Sequence, residues 1–485
     1  MLVAGVDSST QSTKVLLCDA DSGEVAGQGS AAHPAGTECD PAAWWSALQL
    51  AGEGLLERAA AIGIAGQQHG MIALDEAGQL VRPALLWNDL RSAAAATALV
   101  AELGGPAWWA EQTGSVPTAS FTVTKLRWMA EHERASAART ATVLLPHDWL
   151  TWRMRGGAAS PDVTAATTDR GDASGTGYFC VRTGKWLPEI AAAALGHSLA
   201  LPGVAGPAAI VGQTAWGAQL SAGTGDNMAA ALGLGLEPGD VAISIGTSGT
   251  AFAASEQPAA DPCGAVAGFA DATGRFLPLV CTINAAGVLT ATAALAGVSL
   301  DELSDLALAA QPGAGGLTLL PYLDGERTPD RPDATGVLRG LTTANASRQN
   351  LARAAVESLL ASLAEAAGLL TGQGVPQRRV LLIGGGARSA AVRALAPAIF
   401  GVPVLVPPPG EYVARGAARQ AAWALAGTPD PPDWPSAPPP EEYAASPQPQ
   451  IRARHAALRD DTAAWDTKAN EAARDSRARN EGTQP

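Results

Sequence analysis

VAGVDSSTQSTK, residues 3 to 14, and VAISIGTSGTAF, residues 241 to 252, are the two stretches on which the reading of this chain turns. Each is a short apolar strand, a bend of small hydroxyl residues and a second strand, and they lie about half a chain apart. A hairpin bend rich in Ser, Thr and Gly gathers backbone N–H groups and hydroxyls into one small space, which is the donor set a phosphate chain needs. Two such bends predict a triphosphate held from both sides.

Outward from each hairpin the same order repeats. An apolar strand runs into a glycine loop as IGIAGQQHG at 62 to 70 and again as VLLIGGGARS at 380 to 389. Strand patterns fall at 2–6, 14–18, 61–65, 241–245, 379–383 and 403–406, and alanine-rich helical patterns at 41–60, 92–103, 347–371 and 413–426. The alternation predicts an α/β architecture of duplicated topology. One lobe covers residues 1–238 and the other 239–428, with the boundary at EPGD, residues 237 to 240. Residues 429–485, which open with PDPPDWP and SAPPPEE, read as a Pro-rich and charged tail, mobile apart from some helix.

A chain of 485 residues exceeds a single compact core, and 47% hydrophobic with 16% charged residues belongs to a soluble globular protein. The net charge of −14, with no Lys and Arg run interleaved with aromatics, argues against nucleic acid as a partner. Five cysteines without a C-x-x-C pair read as reduced thiols, and the first residues, MLVAGVDSS, lack the basic and apolar regions of a signal peptide, so the expected compartment is the cytosol. Residues 190 to 225 hold no Asp, Glu, Lys or Arg, but Pro202, Pro207, His197, Gln213 and Gln219 interrupt them. They predict a buried, loop-punctuated segment and no membrane span.

Neither a G-x-x-x-x-G-K-[ST] loop nor a G-x-G-x-x-G after a strand is present, so nucleotide binding needs another geometry. Asp7 ends the first strand among Ser8, Ser9, Thr10 and Thr13, with Lys14 beyond. A carboxylate there holds Mg²⁺ through water, or is the polar cap of a plain hairpin. Gly246, Thr247 and Ser248 form the second bend. In SAGTGDN, residues 221 to 227, Asp226 follows small residues and is the candidate base for a hydroxyl attacking a γ-phosphoryl group, or else an N-cap for the helical segment after it. Gln68 and His69 in GQQHGM, and Trp87, Asn88 and Asp89 in LLWNDLR, offer the donors, acceptors and apolar wall that a polyol requires. Gly384 to Ala387 end an apolar strand, where missing side chains admit a flat adenine or simply make a strand-to-helix turn. Glu326 and Arg327 in LPYLDGERTP read as a structural ion pair.

Seven strings in one order, GVD, GQQHG, WNDLR, GTGDN, IGTSG, PYLDGERTP and IGGGARS, resemble the FGGY carbohydrate kinases over residues 2 to 427. The resemblance implies two actin-like, ribonuclease H-like lobes with a central cleft, MgATP as phosphoryl donor, and transfer to the C5 hydroxyl of D-xylulose. It implies Asp226 as general base and His69, Asn227, Trp87, Asp89 and Gln68 as sugar contacts. Ser9, Thr10, Lys14, Gly246, Thr247 and Ser248 fall on its phosphate turns, and Gly385, Gly386 and Ala387 on its adenosine motif. Two departures stand out: Asp7-Ser8-Ser9-Thr10 lacks the glycine of the usual first turn, and Gln68 stands where relatives acting on this sugar commonly carry methionine. Other readings are a kinase for ribulose, arabitol or another polyol, and a non-catalytic actin-like ATP switch. A homodimer is left open.

Overall fold

The computed structural model describes residues 1–156, 163–435 and 438–481. The chain divides into two compact units, one of Met1–Pro238, Ala254–Pro278 and Gly410–Pro435, the other of Gly239–Ala253, Leu279–Pro409 and Ser436–Pro485.

One sheet organises the first unit, in the order Ile210–Gln213, Gln219–Ser221, Ala61–Gly66, Leu2–Ser8, Ser12–Asp19, Val25–Ala32, with Thr224–Gly225 added beside Ala61–Gly66. Leu2–Ser8 is antiparallel to Ser12–Asp19 and parallel to Ala61–Gly66. Register then positions the chemistry. Asp7 and Thr224 both lie opposite Ala65, and Ser8 and Gly225 both lie opposite Gly66. The residues that follow, Ser9, Gln67 and Asp226, therefore leave the sheet side by side.

The second unit repeats the device. Asp240–Ile245 is antiparallel to Gly249–Ala253 and parallel to Arg379–Ile383, so the second hairpin bend and the glycine loop after Ile383 share one sheet end. Phe276–Thr282 continues the sheet beyond Gly249–Ala253, and Val404–Val406 continues it beyond Arg379–Ile383. The long helix Arg348–Gly372 is long and apolar enough to cross a membrane, yet 78% of its most apolar window is buried, as a core helix requires. Residues 190 to 225 form the end of the helix Pro188–Leu195 and then short strands, punctuated as expected but not buried throughout, since Val204, Ile210 and Trp216 are exposed.

Helix ends obey local chemistry. Asp40 accepts from the Ala42 amide with Pro41 in the first turn, Ser299 and Glu302 make a reciprocal box, and glycines 235, 401 and 427 close helices in the left-handed conformation. The first helix stops at Gly52, short of the expected residue 60.

Two boundaries differ from expectation. The helix Tyr412–Ala426 joins the first unit, although its sequence position follows the second. Its packing explains this: a Cβ on Gly5 would lie 1.9 Å from the Ala414 carbonyl oxygen, and one on Gly63 2.1 Å from that of Ala417. The sheet and helix meet backbone to backbone, a fit that only small residues allow. The tail is also more ordered than its composition implies. Glu441–Tyr443 pairs with Val404–Val406, and the helix Pro449–Glu481 buries Ile451, His455 and Leu458 on one face. Arg331 donates to the Arg459 and Thr462 carbonyls. Helical spacing of a few apolar residues was hidden among charges.

Candidate active site

In the first unit, the side-by-side exit of three chain segments gathers Asp7, Gln68, Asp226 and Asn227. Asp7 is 3% exposed, and Ser9 donates its hydroxyl to the Asp7 carboxylate. Burial pushes the Asp7 carboxyl up to about 6, against the pull of Ser9 and of the Lys14 charge. Lys14, expected on phosphate, is paired with Glu411 at 2.6 Å. Thr10 accepts from the Trp87 indole Nε1 at 2.8 Å, which ties the half-exposed Trp87 to the first hairpin.

Asp226 does not follow a flexible loop, nor is it the N-cap. The two residues before it are a strand: Thr224–Gly225 pairs in the sheet, Gly225 is the cap, and Asp226 opens the helix Asp226–Leu234. A carboxylate in a first helical turn faces unpaired amides and the positive end of the dipole. Asn227 fixes Oδ1 of Asp226 through its backbone N at 2.7 Å and Nδ2 at 2.9 Å, and the same Nδ2 donates to Gln68 Oε1 at 2.9 Å. Burial, followed by the nearby Asp7 and Asp172 carboxylates, pushes Asp226 up to about 7. Asp7 and Asp226 thus repel one another, and a hard divalent cation, which prefers carboxylate and water oxygens, matches that donor set.

His69 adopts a left-handed backbone, φ 67°, in a residue type for which this is uncommon. Its ring lies 4.7 Å from Phe121 and 5.7 Å from Phe269 between centroids, and Nδ1 donates to the Gly175 carbonyl at 2.6 Å. That bond fixes the tautomer, so Nε2 is the acceptor of the neutral ring. Asp89, read as a sugar contact, is instead committed internally: Oδ1 accepts from Arg91 N and Nε, and Oδ2 from Thr37 Oγ1 at 2.7 Å. It braces the WNDLR loop. Gln68 is 4% exposed and its Nε2 has no partner, so a polar group occupies the position where methionine was noted as usual.

In the second unit, Gly246 donates its N–H to the Ser248 carbonyl at 3.1 Å, and Thr247 and Ser248 are exposed. A Cβ on Gly384 would meet Ile245 O at 2.8 Å, and one on Gly386 would meet Ile245 Cγ2 at 2.3 Å, whereas one on Gly385 would only touch Arg388 Nη2, at 3.8 Å. Gly386 and Ala387 are buried, so of the expected stretch Gly384 and Gly385 present an exposed backbone. The expected Glu326–Arg327 ion pair is a different arrangement: Glu326 accepts from the Ile283 N–H at 2.6 Å and from Asn284 Nδ2 at 3.0 Å, while Arg327 is exposed.

Sequence reasoning missed a buried group behind Asp226. His147 donates Nδ1 to Asp172 Oδ2 at 2.6 Å and has Asp148 Oδ1 3.2 Å from Nε2, all fully buried. Burial opposes its charging, but Asp148, Asp172 and Asp169 outweigh this and hold the imidazole up at about 9. These three ligand-type side chains stand close enough to hold a metal, but a charged imidazolium between carboxylates accounts for them. No motif spacing marks the group, because its carboxylates come from separate segments.

A duplicated hairpin fold with paired carboxylates at one sheet end is that of a phosphoryl-transfer enzyme acting on a small hydroxyl substrate. The description FGGY family of carbohydrate kinases matches the chain as an N-terminal domain over residues 2–233 and a C-terminal domain over 241–425. The chain is 47% identical over 445 residues to the xylulose kinase of Streptomyces coelicolor, covering 88% of each, and 36% identical over 408 residues to that of Escherichia coli strain K12, covering 79% of this chain and 82% of the relative. Its fold matches the crystal structure of xylulose kinase from Bifidobacterium adolescentis with TM-score 0.89 and 44% identity, over 95% of this chain and 99% of that one. The chain belongs to the FGGY family of carbohydrate kinases, with the family's actin-like, ribonuclease H-like fold.

Proposed function

We propose that the protein transfers the γ-phosphoryl group of MgATP to the C5 hydroxyl of D-xylulose, in the cytosol, giving ADP and D-xylulose 5-phosphate. The sugar follows from the relatives named xylulose kinase, and the chemistry from one observation: the sheet register that brings Asp226 beside Asp7. Asp226, held near neutrality by burial and its acidic neighbours, takes the hydroxyl proton as the oxygen attacks phosphorus. Asn227 pins one carboxylate oxygen and so directs the other. His69 Nε2, Gln68 Nε2 and Trp87 orient the sugar.

Magnesium, when bound, neutralises phosphate charge; Asp7, through water, is the residue that would hold it. In the first unit, Ser9 and Thr10 are the donors suited to phosphate oxygens; in the second, Gly246, Thr247 and Ser248 are, and the exposed Gly385 backbone admits an adenosine. The lobes read from the sequence, 1–238 and 239–428, are supported by family matches over 2–233 and 241–425, whereas Tyr412–Ala426 packs on the first unit.

A second reading keeps the mechanism and changes the sugar. The unpartnered Gln68 Nε2 favours an acceptor that turns an oxygen toward it, and ribulose and arabitol, with the same five oxygens as xylulose, differ from it in where those oxygens point. Coupled ADP release across D-xylulose, D-ribulose, L-ribulose, D-arabitol and glycerol tests both. The highest kcat/KM is expected on D-xylulose, and a higher value on any other acceptor overturns the sugar assignment.

A further inference from the structure

Behind Asp226, a single carboxylate joins two segments that the proposed chemistry needs in fixed relation. Asp169 is 2% exposed and ends the strand Thr167–Asp169. Its Oδ2 accepts from Thr224 Oγ1 at 2.8 Å and from Gly171 N at 2.9 Å, and its Oδ1 accepts from Asp172 N at 2.8 Å. Thr224 lies two residues before Asp226, on the strand end that launches its helix. The Gly171 and Asp172 amides belong to the turn Arg170–Ala173, which leads to Gly175, the residue that accepts from His69 Nδ1 at 2.6 Å.

The fit around this carboxylate leaves no slack. A Cβ on Gly171 would stand 2.7 Å from Asp169 Oδ2 and 2.9 Å from Thr224 Oγ1, and one on Gly175 would stand 2.9 Å from His69 Nδ1. Beneath it, the His147 ring faces Asp172 on the turn and backs the strand end, where a Cβ on Gly223 would meet its Cδ2 at 2.6 Å; the His147 backbone N in turn stands 2.8 Å from a Cβ on Gly66 of the neighbouring strand. A buried carboxylate costs several kcal/mol of lost hydration, which is offset only by good hydrogen bonds and a counter-charge. Three donors and the His147 imidazolium supply both here.

We propose that Asp169 is a positioning residue: through Thr224 and the Arg170–Ala173 turn it fixes the strand end that presents Asp226 against the turn that orients His69. This rests on the reading of Asp226 as the base and of His69 as a sugar contact. Asp169 touches neither group. It sets the distance between them, on which the approach of the sugar hydroxyl to the carboxylate depends.

The test is Thr224→Val in the full chain, which keeps the side-chain shape and removes the hydroxyl that binds Asp169. A misplacement of about 1 Å costs up to ~10²-fold, so kcat on D-xylulose falls about 10- to 100-fold and the D-xylulose KM rises. The ATP KM stays within about twofold, because the second hairpin is untouched. Thr224→Ser, which restores the hydroxyl, returns kcat to near the wild-type value. Wild-type kcat in Thr224→Val, alongside an inactive Asp226→Asn, overturns the proposal and leaves the base assignment standing. Turnover in Asp226→Asn shows instead that the base assignment, and with it the proposal, is wrong. If Thr224→Val does not fold, Asp169→Asn gives the same comparison: one amide N–H loses its acceptor, kcat falls with ATP KM unchanged, and an unchanged kcat overturns the proposal.

Discussion

The two hairpins share a backbone and differ in what they carry. In the first, Leu2–Ser8 and Ser12–Asp19 flank a bend whose Asp7 is buried, hydroxyl-bonded and raised to about 6. In the second, Asp240–Ile245 and Gly249–Ala253 flank Gly246, Thr247 and Ser248, which hold no charge and lie partly or fully exposed. Neighbouring strands deepen the contrast. The parallel strand beside the first hairpin runs into Gln67, Gln68 and His69, while the one beside the second runs into glycines packed on Ile245. The backbone frame is thus repeated, and the buried carboxylates are concentrated in one copy. The other copy is a set of bare donors.

The sharpest way to break that contrast is Asp7→Asn. On the scale at which a lost charge-stabilising group is felt, turnover falls about 10²- to 10³-fold. Stability moves the other way. The folded carboxyl, near 6, lies above its unfolded value of 3.8, so the stability it contributes is present below about pH 4 and is lost as pH rises through 6. Asparagine never ionises, and the magnesium-free variant at pH 8 gains on the order of 1 to 3 kcal/mol, seen as a higher Tm. A lower Tm would contradict the burial argument.

A smaller effect sharpens the other side. Thr247→Val removes one exposed donor from the second bend, and a hydrogen bond to a charged group is worth about 1.5 to 3 kcal/mol. The ATP KM rises about tenfold or more while the D-xylulose KM is unchanged. An equal rise in both constants would mean that the two hairpins do not divide the labour as described.

Much of this was legible in the sequence, because it resides in short local strings. Apolar runs ending in GVD and IGTSG give the strands and bends, and the order of the strings gives the family. Asp226 was singled out by its place in GTGD, but its helix-opening position was not legible, since Thr224–Gly225 is a strand only through pairing with Ala65 and Gly66. Asp89 and Lys14 looked available because their partners, Thr37 and Glu411, are distant in sequence. The Asp169, Asp172 and His147 group was invisible for the same reason. Tyr412–Ala426 was recognised as a helix, but the unit it serves is decided by its close approach to Gly5 and Gly63, which no periodicity encodes.

The most direct test of the division of labour is Asp226→Asn at saturating MgATP and D-xylulose, with a pH profile of the wild type beside it. A positioned base contributes about 10²-fold or more, so kcat is expected to fall at least that far with the D-xylulose KM little changed. The wild-type kcat/KM should drop with falling pH below about 7, where Asp226 becomes protonated, roughly tenfold per unit. Near-wild-type turnover in Asp226→Asn, with the acidic limb still in place, would contradict the account.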